Sequence, residues 1–373
     1  MAITRRNERI TPNTCITTRN VSRAPDSPLP RYLAVAYTLL VVYASLHPFS
    51  GWRDSGAPAM GYLTAAWPRY YTVFDLVTNV AAYVPLGFIW VPTLQGVQQR
   101  WLAVVTATLL VATLSFSMET IQNFLPSRVP SNVDLGCNSL GGMIGALLGA
   151  RWGMSLLSGG RLHSLRERLV IAGNGGDAAL VLVALWLLTQ VNPETLLFGS
   201  GDLRDLLGLE IALPFDIDGF KRIEAGVTAT SVLALGMITS CLLRHRPGVA
   251  ILTLFGAALA IRALSYELLV EPAPALRWLT PGNGIGLLIG LALLVPTLPL
   301  IAPLRRALAG SALLFATVLV NLAPENPYLT EAAQVWRQGH FLNFNGLTRL
   351  ASVLWPFLAL PWLLLPERDP WKK

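Results

Sequence analysis

Apolar runs of roughly bilayer length recur along this chain, and no other feature restricts its fold as tightly. Several approach the roughly 20 residues that an α-helix needs to cross a membrane. Inside hydrocarbon every backbone N–H and C=O must be satisfied by the protein itself, which favours helices. Of the 373 residues, 53% are hydrophobic and 13% are charged, with mean hydropathy +0.52. A soluble chain would carry about 25% charged residues. The pattern predicts an all-α fold, a polytopic transmembrane helical bundle of about ten spans. Their expected limits are 31–47, 72–92, 101–122, 134–153, 177–191, 222–243, 248–268, 283–302, 307–322 and 347–365.

Basic residues fall in short clusters between alternate runs: Arg100; Arg151, Arg161, Arg166 and Arg168; Arg244 and Arg246; Arg305 and Arg306; and Lys372 with Lys373. Cytoplasmic loops are enriched in Lys and Arg. The alternation predicts a multi-pass membrane protein with both termini cytoplasmic. It also accounts for the net charge of +7 without a nucleic-acid partner. The basic leader, residues 1–30, reads as an uncleaved, disordered tail, because no small-residue cleavage site follows Leu46. Residues 48–70, 192–221 and 323–346 mix aromatic, proline and charged residues, which predicts short amphipathic helices in the interface. Cys15, Cys137 and Cys241 form no C-x-x-C pair, and His47, His163, His245 and His340 have no ligand spacing. No disulfide, metal site or cofactor is expected.

Against this apolar background one segment is dense in polar groups. It reads Glu119-x-x-Gln122, Arg128, Asp134-x-x-x-Asn138, then Gly141-x-x-x-Gly145. Asp75 and Asn79 open the second span. Residues three or four apart share a helix face. With the expected topology, Asp75, Asn79, Glu119, Gln122, Asp134 and Asn138 lie at one depth near the outer leaflet, below Arg128. Ionisable groups at such depth are costly and mark a site by default. Two readings stand. In one, Arg128 satisfies Glu119 or Asp134, and Asp134 caps the fourth helix. In the other, the cluster is a polar pocket: the arginine suits an anionic headgroup, and the acids, Glu119 and Asp134 foremost, are the candidates for acid–base work or for holding a divalent cation. Gly141 and Gly145 form a close-packing helix face, and Pro85 and Gly87 bend the second helix and help it pack. No nucleotide, serine-hydrolase or zinc-protease motif is present.

The chain also repeats itself. His47-Pro48, Asn192-Pro193 and Ala323-Pro324 each end an apolar run, and Asn138-x-x-Gly141-x-x-x-Gly145 is matched by Asn283-x-x-Gly286-x-x-x-Gly290. Glu267 and Arg277 echo Glu119 and Arg128. This order predicts a tail (1–30), a first four-helix unit (31–155), a degenerate second unit (177–302), and a final helix pair with a short tail (307–373).

Phe74-Asp75-x-x-x-Asn79, Pro85-x-Gly87, Glu119-x-x-Gln122, Arg128, Asp134, Asn138, Gly141 and Gly145 together resemble the VanZ-like family of membrane proteins, over about residues 33–150. The resemblance implies a protein of the cell envelope, in a bacterial inner membrane. The family's namesake is associated with resistance to the glycopeptide teicoplanin, while its biochemical activity is obscure. The first expectation is a non-catalytic protein whose partners are membrane lipid and a lipid-linked or anionic glycan headgroup. The alternatives are an enzyme acting on a lipid-linked phosphate, and a transporter or flippase. The sequence leaves the ligand, catalysis and the oligomeric state open.

Overall fold

A computed structural model of the chain describes residues 28–54, 56–67, 72–95, 97–171, 173–209, 213–244, 247–270, 275–324 and 342–365. Most of the basic leader, the charged C-terminal tail and most of 323–346 lie outside them, so the expectations for those segments are left where they stood.

The order of elements is α1 (Leu29–Leu46), α2 (Val73–Gln95), α3 (Arg100–Gln122), α4 (Asn132–Leu148), α5 (Arg161–Leu169), α6 (Asn174–Thr189), α7 (Arg204–Leu207), α8 (Ile217–Leu242), α9 (Pro247–Leu269), α10 (Pro281–Thr297), α11 (Ala302–Leu322) and α12 (Leu342–Leu364). Among the described residues there is no strand, only an isolated bridge between Val170 and Leu243. α4 continues as a π-helical stretch, Gly149–Ser158. Eight helices are long and apolar enough to cross a membrane, while α6 and α10, with 16 and 17 residues, are shorter. Each expected span falls on one of these ten helices. The amphipathic α5, four-residue α7 and a 3-10 turn at Gly61–Leu63 are the other helical pieces. The chain is a polytopic helical membrane protein.

Local chemistry sets the helix limits. Ser131 caps α4 by accepting from the Val133 and Asp134 N–H groups, and Thr280 caps α10 by accepting from Asn283. Such side chains satisfy donors that the first turn leaves open. α1 stops before Pro48, because the residue preceding a proline is driven out of helical geometry; His47 has ψ 135°. The outward faces are apolar too: Leu109, Leu252, Leu288, Val295 and Phe315 are each more than half exposed. A helix apolar on all sides belongs in lipid.

Glycines bring α2 and α4 together. A Cβ at Gly87 would overlap the carbonyl oxygen of Gly142; one at Gly141 would overlap that of Val80, and one at Gly145 that of Val84. Buried residues of α1–α4 form three small clusters, including one around Tyr83, Leu86 and Val111. A larger core, with Trp186, Phe198 and Trp355, joins α6 and α8–α12.

Connectivity and hydrogen bonds collect the ends of α1, α3, α6, α9 and α11, and the starts of α2, α4, α8, α10 and α12, at one end of the bundle. Gln122 reaches Ser45, Arg262 reaches Asn192, Asn321 bonds to the Gly201 carbonyl, and Gly346 lies against the His47 ring. At the opposite end Arg305 donates to the Ser240 carbonyl and Arg166 pairs with Asp177.

Candidate functional site

The polar residues of α2, α3 and α4 form a ladder descending from that first end. At its top Thr72 and Asp75 cap α2 reciprocally. The Asp75 carboxylate accepts from Thr72 N–H (2.9 Å) and Oγ1 (2.7 Å), and Asp75 N–H donates to Thr72 Oγ1 (3.1 Å). This is a capping box with an aspartate in the usual glutamate place. One turn deeper, Asn79 Nδ2 donates to Asp134 Oδ1 at 2.6 Å. Beside this pair, Glu119, 4% exposed, accepts at Oε2 from the Ser131 N–H at 2.9 Å. Ser131 thus caps α4 with its side chain and holds Glu119 with its backbone. A further turn down, Asn138 Nδ2 donates to Ser115 Oγ at 3.0 Å, with Asn138 5% and Ser115 0% exposed. Oδ1 of Asn138 is buried and meets no donor among the described residues. The Tyr83 hydroxyl sits beside Ser115 and the Glu119 carboxylate.

Gln122 and Arg128 turn the other way, toward the end of α1. Gln122 Nε2 donates to the Ser45 carbonyl at 2.8 Å. Arg128 donates from both Nε and Nη2 to the carbonyl of His47. Helix-final carbonyls lack intrahelical partners, and cations are favourable there. Burial lowers the pKa of the Arg128 guanidinium from its ordinary value. Burial also lowers that of His47, helped by the charges of Arg128 and Arg349.

The same device recurs at the other two proline-marked ends. Arg262 donates to the carbonyl of Asn192, before Pro193, and Arg204 to that of Ala323, before Pro324. Reading the sequence for acids and amides passed over Arg262. Its signal was a lone charge inside an apolar run, which is rare without a partner. Ser131, Ser115 and Tyr83 were passed over as well. Of these only Ser131 was detectable, as the cap residue preceding Asp134.

The ladder is rich in acceptors. Asp75, Glu119 and Asp134 bring carboxylates to neighbouring rungs, while the donors facing them are amides and hydroxyls. Among the described residues no group of three His, Cys, Asp or Glu side chains is placed to hold a metal ion. The arrangement suits a guest that brings its own donors, such as hydroxyl or amino groups.

Residues 21–153 match the family model described as VanZ/LLP1, which takes in α1 to α4 and every rung of the ladder. No curated protein and no solved structure gives a match.

Proposed function

We propose that the VanZ-like domain at residues 21–153 holds the headgroup of a membrane-borne ligand in the ladder between α2, α3 and α4, as a non-catalytic protein of the cell envelope. The observation that carries this reading is the buried, incompletely satisfied polar surplus: Glu119 at 4% exposure and Asn138 with an unpartnered Oδ1. Buried polar atoms left without partners cost about 1–3 kcal/mol each. Helix packing alone would be served by apolar residues here, so a retained surplus favours a guest. The acceptor-rich lining favours sugar hydroxyl or amino groups, hence a lipid-linked envelope glycan. Arg128 is engaged at the end of α1, where it holds the His47 carbonyl.

The test compares a null strain complemented with wild type, Glu119→Gln, Asp134→Asn and Asn138→Leu, each at matched membrane expression. Glycopeptide susceptibility and lipid-linked precursors retained on the purified protein are measured. The variants are expected to resemble the null strain and to lose the retained precursor. Full complementation with equal retention would reduce the ladder to a helix clamp.

A further inference from the structure

Behind α8, α9 and α10 lies a second polar enclosure, outside the VanZ-like domain. Gly286 and Gly290 of α10 pack on the carbonyl oxygens of Ala225 and Ala229 in α8, as Gly141 and Gly145 pack on those of Val80 and Val84. All four pairs are shifted by the same interval along the chain. At that interval Asn283 corresponds to Asn138, and Glu224 to Asn79. The α8–α10 pair therefore reproduces the α2–α4 pair, and the place of the ladder is taken by an open cavity of about 170 Å³. That volume is well above what a single water needs.

Its walls differ from the ladder in sign. Arg262, 1% exposed, lines it; the guanidinium donates to the carbonyls of Asn192, Thr195 and Leu196 and to Thr195 Oγ1. These partners are all neutral oxygens, and no carboxylate among the described residues forms an ion pair with it. Arg277 lines the cavity from an exposed position and makes no hydrogen bond or ion pair among the described residues. Trp278, 8% exposed, forms part of the wall, and its Nε1 is buried without an acceptor. Thr280, which caps α10, also faces this space, and the Glu224 carboxylate lies against Gly282 in the first turn of that helix. Glu224, 5% exposed, is the one carboxylate in the lining.

We infer that this cavity is a second ligand site, selective for a phosphate group: Arg277 and the Trp278 N–H bind its oxygens, the buried Arg262 supplies fixed positive charge, and Glu224 takes a hydroxyl or ammonium carried beside the phosphate. Guanidinium and N–H donors fit phosphate oxygens, and Tyr266 Oη, which donates to the Pro193 carbonyl at 3.1 Å, holds the wall in place. The phosphate can belong to a lipid headgroup or be free in solution. The site does not depend on the ligand of the ladder.

The experiment uses the purified full chain in detergent, titrated separately with dioctanoyl phosphatidic acid, dioctanoylglycerol and inorganic phosphate, read by calorimetry and thermal melting. Wild type, Arg277→Gln and Trp278→Phe are compared. Arg277 is exposed, so its replacement leaves the fold intact and isolates recognition. Phosphatidic acid is expected to bind and raise the melting temperature, dioctanoylglycerol to do neither, and Arg277→Gln to weaken binding about tenfold or more, as for loss of a charged hydrogen bond. Trp278→Phe should weaken it by a smaller factor. Binding of inorganic phosphate with the same variant ranking assigns a soluble source; binding of the lipid alone assigns a headgroup. Equal affinity in all three proteins, equal binding of dioctanoylglycerol, or no binding of either phosphate overturns the inference.

Discussion

At the scale of single residues, Arg128 shows how much a side chain's meaning depends on its partner. From the sequence it hangs over a set of carboxylates. In the fold it forks onto the carbonyl of His47. Arg128→Ala should therefore destabilise the protein by about 1.5–3 kcal/mol, the usual worth of a charged hydrogen bond, and Arg128→Lys should recover only part, since an ammonium cannot reproduce the planar fork. Melting curves in detergent decide this, and an unchanged midpoint for the alanine variant would refute it. His47 adds a pH dependence. Its folded pKa lies below the ordinary value because of burial first, then the charges of Arg128 and Arg349. The unfolded state thus takes up the proton more readily. The stability contributed by neutral His47 is complete above about pH 6.5 and is lost as pH falls through the lower folded pKa. His47→Asn, which puts there the residue that precedes Pro193, should flatten the melting temperature between about pH 7 and pH 5. Asp202 acts in a separate, more acidic window. Burial raises its pKa, but hydrogen bonding and charge from Arg204 outweigh that and hold it below the ordinary value. Its contribution is present above about pH 3.9 and is lost only below it.

Between whole elements, the closest packing is glycine against backbone. A G-x-x-x-G spacing is a local pattern, so the face of α4 that α2 would meet was legible in Gly141 and Gly145. What α2 offers in return was not. Gly87 stands beside Pro85 and reads as part of a bend, yet its missing Cβ makes room for the Gly142 carbonyl. Gly145→Val would drive a side chain into the Val84 carbonyl, which is backbone and cannot rotate away. The cost should reach or exceed the roughly 1–3 kcal/mol typical of overpacking. Gly256 of α9 is the counterpart test. Nothing lies within 4 Å of a Cβ built there, so Gly256→Ala should stabilise α9 by about 0.5–1 kcal/mol through reduced backbone entropy. Opposite shifts in melting temperature are expected. Similar shifts for the two would mean that glycine content, and not helix contact, governs stability.

At the scale of the molecule, α12 fastens the larger core. Trp355 Nε1 donates to the Leu182 carbonyl and Trp362 Nε1 to that of Gly175, each at 2.7 Å, so both indoles grip α6. Trp355 is 1% exposed within the cluster that includes Trp186 and Phe198. Trp355→Ala should cost about 3–5 kcal/mol and shift the detergent-solubilised protein toward aggregates in size-exclusion chromatography; a monodisperse variant with wild-type melting would show that α12 is dispensable to the core. α12 also touches the VanZ-like domain, where Gly346 accommodates the His47 ring. None of these links is marked in the sequence, although the apolar run that becomes α12 is.

The sequence by itself determined the class of fold, the positions of the apolar helices and the glycine faces; the cap it suggested for α4 was Asp134, and the fold uses Ser131. Each depends on properties read along a short stretch of chain: hydropathy over a bilayer length, or a period of four. It also singled out polar residues of α2, α3, α4 and the turn before α4. Only the tertiary structure decided what each of them touches. Gln122 finds Ser45 across 77 residues, and Arg128 finds His47 across 81. Both acceptors are backbone carbonyls. A carbonyl is chemically alike at every position, so no residue type in the sequence announces which one a distant arginine or amide will meet.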